Sequence, residues 1–181
     1  MRSLSLFVVL LAGQHTVQAF YIHLHGMVTH HFTGDPMGEV QVRMVKDSIE
    51  RETMRTKANG RYEFYLERGY DYSIWFYKPG WITKHVRIDA TAIPLVPDVP
   101  YYEMDLQITF FEWRDSLDLS VFDEPVALAT YRHSVRNLSW NVDYTEAMRP
   151  RVARTMLAYE KALRGYVPVR RKPEDTVPSV P

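Results

Sequence analysis

Residues 53–89 constrain the fold of this chain more than any other stretch, because apolar and polar residues alternate there between strong turn signals. Alternation with a period of two is typical of half-buried β-strands. Gly69 and the pairs Asn59-Gly60 and Pro79-Gly80 supply the dihedral angles that chain reversals need. The stretch therefore predicts consecutive antiparallel strands. The predicted inward-facing residues are Tyr62, Phe64, Leu66, Tyr72, Ile74 and Phe76.

The same alternation extends the β-sheet prediction on both sides of this stretch. Two strands are predicted before it, a fifth strand lies at its end around Val86 and Ile88, and a sixth strand follows and ends near residue 110. Residues 93–100 are rich in proline, which cannot donate to a sheet ladder, so they predict a link. The inward-facing residues of these further strands are Phe20, Ile22, Leu24, Val40, Val42, Met44, Val86, Ile88, Tyr102, Met104, Leu106, Ile108 and Phe110.

Four segments in order resemble the turn series of the carboxypeptidase regulatory-like domain: Gly26–Val28, Thr33–Val42, Thr56–Phe64 and Phe76–Trp81. The resemblance covers residues 20–112. It implies a transthyretin-like (prealbumin-like) sandwich of seven antiparallel strands, a carbohydrate-binding-like fold. Domains of that family are accessory modules attached to peptidases, outer-membrane receptors or surface proteins, and they contribute no catalytic residues.

The residues after the predicted sandwich also resemble a known pattern. Residues 111–145 are similar to an extension found in exported proteins of Bacteroidetes bacteria. We expect residues 113–142 to form an extension that packs on the sandwich.

The N-terminus has the features of a signal peptide. Arg2 precedes the apolar run Leu4–Ala12, and Val17-Gln18-Ala19 has the small residues that a signal peptidase needs, so residues 1–19 are predicted to be removed. The apolar run is too short to cross a bilayer, so no transmembrane segment is expected after cleavage. Because the chain has no cysteine, it cannot be a lipoprotein. These features predict a periplasmic or extracellular protein.

Charge and motif content narrow the class of function. The chain has 22 basic and 22 acidic residues, and loss of Arg2 leaves a net charge of about −1. This balance predicts no nucleic-acid partner. The sequence contains no phosphate-binding loop, nucleophile elbow, zinc-protease motif or dinucleotide fingerprint, so no catalytic residue, cofactor or enzymatic activity is predicted.

Helix-forming residues dominate after residue 142. Residues 143–165 predict an amphipathic helix, with Pro150 starting or kinking it, and Gly165 ending it. One interpretation is that this helix packs on its own sandwich; the other is that it is a basic element that docks on another protein. Residues 166–181 are predicted to be a flexible tail. The apolar stripe of the helix consists of Val152, Met156, Tyr159 and Leu163.

Aromatic residues form the main candidate binding surface. If Leu66 pairs with Tyr72 across the turn at Gly69, several rings project from the face opposite the core. Such rings can stack on sugars or contact a protein. The competing interpretation is that the C-terminal segment covers them. The candidate residues are Tyr65, Trp75, Tyr77 and Trp81.

Two histidines are weak candidates for metal ligands. His23 and His25 share one face of the first strand, and imidazole suits transition metals. We predict no metal site, because the sequence shows neither a cysteine nor a carboxylate at a recognised ligand spacing from them.

Together these observations predict a mainly β protein, a non-catalytic exported module that acts in protein binding or assembly in the cell envelope. The alternative is a carbohydrate-binding module whose outward aromatic rings stack on a glycan.

Overall fold

A computed structural model describes residues 20–165. The predicted signal peptide, residues 1–19, and the predicted tail, residues 166–181, lie outside this range. The described residues form nine β-strands, a short 3₁₀ helix at Ser120–Phe122 and one α-helix. The elements are β1 (Tyr21–His30), β2 (Gln41–Lys46), β3 (Ile49–Arg55), β4 (Arg61–Leu66), β5 (Asp71–Tyr77), β6 (Lys84–Asp89), β7 (Tyr101–Phe110), β8 (Ala127–Arg132), β9 (Asn137–Trp140) and α1 (Val142–Arg164).

The strands form two sheets that share one core. The smaller sheet has the order β4-β1-β7, and the larger has the order β3-β2-β5-β6-β8-β9. The alternating apolar residues of both sheets meet in a single buried cluster, which includes Phe64 from the small sheet and Phe76 from the large one. The predicted mainly β class, a sandwich with a C-terminal helix, is confirmed.

The strand number and the pairing differ from the predicted seven antiparallel strands. The described residues contain nine strands, and two of the pairings are parallel: β1 with β7 and β6 with β8. Alternation along a strand shows which residues face inward, but it does not show which strand lies alongside. The predicted direction of pairing was therefore wrong in these two places.

The strand β3 was not predicted because neither of its faces is apolar. All its residues are exposed except Met54, which packs against the core. It follows β2 through a tight turn in which Asp47 and Ser48 have φ values of 47° and 65°. Hairpin turns of this kind usually carry Asn-Gly or Asp-Gly, so Asp-Ser gave a weak signal.

Gly26 allows the central strand of the small sheet to lie close to its neighbour. A Cβ atom on this residue would lie 1.9 Å from the carbonyl oxygen of Leu106 on β7. That oxygen also accepts a hydrogen bond of 2.7 Å from the hydroxyl of Tyr62. The close packing at this point therefore requires a residue without a side chain.

Residues 113–142 contribute strands as well as loops. Within them, β8 pairs with β6 and β9 pairs with β8, so both strands extend the larger sheet. Trp140 on β9 donates a hydrogen bond of 3.2 Å from its indole nitrogen to the carbonyl of Asp105 on β7. This bond links the two sheets at one side of the sandwich.

The helix α1 begins and ends at residues suited to helix termini. The side chain of Asn141 accepts a hydrogen bond of 3.0 Å from the backbone nitrogen of Tyr144 and caps the first turn. Pro150 lies inside the helix and does not start it, and Gly165 follows the last turn. Within residues 20–165, no helix combines the length and the apolar composition that a membrane span requires.

Candidate functional site

The outer surface of the small sheet is the strongest candidate site. It is called the three-strand face here, and its side chains alternate with buried core residues on β1, β4 and β7. The side chains on β4 and β7 are exposed and those on the central strand β1 are half-buried. The three-strand face consists of Tyr21, His23, His25, Met27, Arg61, Glu63, Tyr65, Tyr101, Glu103, Asp105 and Gln107.

Aromatic rings on this face pack against one another across the strands. The rings of Tyr21 and Tyr101 stack with centroids 5.3 Å apart and planes at 6°. The rings of His23 and Tyr65 stack at 4.8 Å and 8°, and Tyr21 contacts Tyr65 edge to face. Rings that stack across neighbouring strands turn their flat faces toward each other. Tyr65 and Tyr101 remain 60% and 44% exposed in these contacts.

Two histidines on β1 lie between carboxylates on both neighbouring strands. The Nε2 atom of His25 lies 3.2 Å from Oε1 of Glu103 on β7. The Nε2 atom of His23 lies 3.5 Å from Oε2 of Glu63 on β4. Ligand atoms of His23, His25 and Glu103 all lie within 4.8 Å of one another. These three residues are the part of the described chain that could hold a metal ion.

A shallow pocket adjoins the two histidines. It has a volume of about 460 Å³, and its wall includes residues of all three strands of the small sheet. The pocket extends from the histidines to Met54, which lies on the edge strand of the other sheet. The wall includes His23, His25, Arg61, Glu63, Asp105 and Gln107.

The four aromatic residues that the sequence singled out do not share one surface. The predicted pairing of Leu66 with Tyr72 was wrong, because Leu66 pairs with Ile22 in the small sheet and Tyr72 lies in the large sheet. Tyr65 therefore lies on the three-strand face. Trp75 and Tyr77 lie on the outer face of the large sheet, on the opposite side of the sandwich.

Trp81 lies apart from both groups. It follows the turn after β5, is half-buried against the core, and forms an isolated bridge with Glu112. The edge of its ring contacts His30, with centroids 5.5 Å apart and planes at 86°. The candidate aromatic set is thus divided among three places.

One face of the Trp75 ring is covered. It stacks on His85 with centroids 4.1 Å apart and planes at 14°. His85 is buried, and its Nδ1 atom has no hydrogen-bond partner. Burial lowers the pKa of His85 to about 4, because the charged imidazolium loses its solvation. The pair is therefore an apolar contact at neutral pH.

The helix stripe faces a second, smaller core at one end of the sandwich. Tyr159 is 1% exposed, and Val152 and Met156 are half-buried against the same cluster. Leu163 is 38% exposed. The second core consists of Ile82, Phe111, Leu119, Val121, Phe122, Met148 and Tyr159. Three of the four stripe residues thus pack against this second core.

A buried lysine lies beside the second core. Lys84 donates a hydrogen bond of 2.5 Å to the backbone carbonyl of Thr109, and its ammonium group lies 5.2 Å and 5.0 Å from the ring centroids of Phe111 and Phe122. Burial lowers the pKa of this lysine to about 8. Its charge is stabilised by aromatic faces and a backbone oxygen.

Comparisons with known proteins concern the fold. No protein-family model matches the chain, and no curated protein is similar to it in sequence. Several solved structures are similar to part of it, and β-sandwich proteins are among them.

A dioxygenase, a candidate carbohydrate-binding protein and a pilus adhesin fragment are among these structures. A 3-chlorocatechol 1,2-dioxygenase from Rhodococcus opacus 1CP is 13% identical over 52% of this chain and 60% of its own, with a TM-score of 0.39. A candidate carbohydrate-binding protein from Bacteroides uniformis ATCC 8492 is 12% identical over 51% and 42%, with a TM-score of 0.36. The C-terminal fragment of the pilus adhesin SpaC from Lactobacillus rhamnosus GG is 12% identical over 51% and 45%, with a TM-score of 0.38.

The chain thus spans about two fifths to three fifths of the length of these three structures. At such identities and TM-scores, they carry no argument about activity or ligand.

Sequence reasoning did not identify the carboxylates beside the two histidines. Glu103 is 78 residues from His25 in sequence and reaches it because β1 and β7 pair in parallel. A signal was present, since Glu103 and Asp105 occupy the outward positions of the predicted sixth strand. These outward positions could be linked to the histidines only by knowing that β7 lies beside β1.

Proposed function

We propose that this chain is an exported, non-catalytic binding module that docks a protein partner of the cell envelope through the three-strand face. The observation that carries the proposal is a sheet surface with exposed flanking strands, on which three tyrosine rings lie beside two histidines and three carboxylates. Tyrosine is enriched in protein interfaces because it offers a large, rigid contact area together with a hydroxyl group.

The charge of the face indicates the chemistry of the partner. Glu63, Glu103 and Asp105 carry three negative charges, and Arg61 carries one positive charge. The acidic and arginine side chains of the face therefore sum to a net charge of −2. The complementary partner is a protein surface that presents lysine or arginine side chains. Such complementarity raises the association rate and fixes the orientation of the complex.

Support for export and for the module class comes from the sequence. The apolar run Leu4–Ala12 and the small residue Ala19 favour secretion to the periplasm or the cell exterior. The resemblance of residues 20–112 to carboxypeptidase regulatory-like domains favours an accessory module. We include both in the proposal, together with residues 113–142 as an extension and residues 143–165 as a helix that packs on the sandwich.

The ring geometry favours a protein partner over a glycan. A sugar ring stacks on an aromatic face that is open to solvent. On the three-strand face, stacking covers one face of each ring in the pairs Tyr21–Tyr101 and His23–Tyr65. On the other sheet, Trp75 has one face covered by His85.

A pull-down from solubilised cell envelopes tests the proposal. Immobilised protein is compared with a Tyr65→Ser/Tyr101→Ser double variant and with a Tyr77→Ser control on the opposite sheet. We expect wild type and control to recover the same protein, with at least a tenfold loss for the double variant, since interface tyrosines dominate binding energies. Recovery should fall as salt is raised, because screening weakens the attraction of the carboxylates.

Three outcomes would contradict the proposal. The first is equal recovery by the double variant, and the second is equal loss in the Tyr77→Ser control. The third is that the immobilised protein still recovers a ligand after protease has digested the envelope proteins. That result would identify the ligand as a glycan.

A further inference from the structure

We propose that His23, His25 and Glu103 bind one divalent transition-metal ion, with Zn²⁺ as the leading candidate. The site lies on the three-strand face, but it needs only the chain itself. Its occupancy therefore does not depend on the protein partner proposed above.

The sheet geometry brings the three ligands together. His23 and His25 are two residues apart on β1, so both side chains project from the same face. Glu103 on β7 lies directly opposite His23 in the parallel register. Both histidines belong to the central strand of the sheet, so their backbone positions are held by hydrogen-bonded neighbours on each side. A rigid backbone of this kind is what a metal site requires.

One ring nitrogen of His23 has no hydrogen-bond partner. The Nε2 atom of His23 is buried, and its contact with Glu63 at 3.5 Å does not have hydrogen-bond geometry. Buried polar atoms are nearly always satisfied in native structures, so an exception needs an explanation. A metal ion bound to this nitrogen would satisfy it.

Binding of one ion would bring the three donor atoms closer together by up to about 1.4 Å. The three donor atoms lie within 4.8 Å of one another, whereas donors around one tetrahedral Zn²⁺ lie about 3.4 Å apart, given bonds of about 2.1 Å. The side chain of Glu103 is 60% exposed. Its carboxylate already lies 3.2 Å from Nε2 of His25 and can move toward His23 by rotation about its own bonds.

The donor set selects the class of ion. Two imidazole nitrogens and one carboxylate oxygen suit Zn²⁺, Cu²⁺ or Ni²⁺, whereas Ca²⁺ and Mg²⁺ prefer oxygen ligands alone. Glu63 lies on the other side of His23 and can supply a fourth donor. The adjoining pocket of about 460 Å³ has room for water ligands as well.

Isothermal titration calorimetry of the purified, untagged protein with ZnCl₂ tests the site. We expect one Zn²⁺ per chain, no heat with MgCl₂, and weaker Zn²⁺ binding as the pH falls, because only neutral imidazole binds a metal. His25→Gln and Glu103→Gln should each weaken binding more than about tenfold, since even indirect partners of metal ligands contribute that much. The matched control is His133→Gln, an exposed histidine on the loop after β8.

Nuclear magnetic resonance of the histidine rings gives a second readout. Addition of Zn²⁺ should shift the ring nitrogens of His23 and His25 and leave those of His133 unchanged. Because Glu103 is exposed and its amide analogue has the same shape, Glu103→Gln keeps the fold and keeps the test decisive. Absence of binding, equal binding by His25→Gln and Glu103→Gln, or equal weakening in His133→Gln would each overturn the proposal.

Discussion

The hydroxyl of Tyr159 donates a hydrogen bond of 2.9 Å to the backbone carbonyl of Glu112. The same ring packs edge to face on Phe111, with centroids 4.8 Å apart, and stacks on Phe32 from the β1–β2 connection at 5.7 Å. One residue of α1 thus contacts the end of β7 and the loop after β1. Tyr159 therefore joins the helix to two separate parts of the sandwich.

Truncation of Tyr159 should destabilise the protein strongly. We expect Tyr159→Ala to lower the free energy of unfolding by about 3–5 kcal/mol, as for other buried aromatic residues. Tyr159→Phe should cost about 1 kcal/mol, because the carbonyl of Glu112 loses this donor. Urea unfolding measures both changes. The control is Leu157→Ala on the exposed side of the helix, which should change the free energy by less than about 0.5 kcal/mol.

Two glycine substitutions should separate lack of space from backbone strain. Gly26→Ala places a Cβ against the carbonyl of Leu106, and backbone atoms cannot move aside, so we expect a loss of about 3 kcal/mol or more. Gly69→Ala meets no atom within 4 Å but has φ of 87°, so its cost should be about 1 kcal/mol. Thermal unfolding of the two variants gives the comparison. Equal losses would show that β1 and β7 can separate at low cost.

The inward-facing residues of the strands were predictable from sequence, whereas the pairing of one strand with another was not. The inward residues of β4 and β5 follow from alternation, and all of them are buried. Their hairpin did not form, because β4 and β5 belong to different sheets. Pairing depends on contacts between distant parts of the chain, which a local pattern does not contain.

For the candidate site too, the face of the strand was predictable and the neighbouring strands were not. The sequence placed His23 and His25 on one face of a strand, and the structure does the same. Their carboxylate neighbours Glu63 and Glu103 come from strands on either side, far away in sequence. The aromatic candidates Tyr65 and Trp75 were grouped through the mistaken hairpin, and they lie on opposite sides of the sandwich.

Acid should destabilise the protein through His85. Burial lowers the pKa of this imidazole to about 4, below the ordinary value of 6.5. Between these values the unfolded chain binds a proton that the folded protein does not, so stability falls as the pH is lowered through this window. The full effect is about 3 kcal/mol. Urea titrations at several pH values should show that His85→Phe, which retains a ring against Trp75, loses this part of the pH dependence.

His133→Gln serves as the control for the acid experiment, because His133 is exposed. The free energy of unfolding of the His133→Gln variant should follow that of the wild type at every pH measured. If His85→Phe and wild type lose stability in parallel between about pH 6.5 and about pH 4, the folded imidazole is protonated without cost.

A rise in pH should remove the free-energy cost of burying the charged amine of Lys84. Burial lowers the pKa of this amine to about 8, below the ordinary 10.5, so the folded protein releases the proton before the unfolded chain does. Stability relative to Lys84→Met should therefore rise between about pH 8 and about pH 10.5, by roughly 3 kcal/mol at most. Urea unfolding of both proteins across this range measures the difference. A constant difference would show that the amine keeps its proton in the fold.

The parallel pairing of β1 with β7 also determines when the small sheet can assemble. Its central strand ends at His30, but one of its two flanking strands is complete only at Phe110. A nascent chain shorter than that leaves the hydrogen-bonding edge of β1 without its longest partner, and such an edge is prone to pair with other molecules. Because contacts that span so many residues form slowly, newly made protein should depend most on chaperones during this interval.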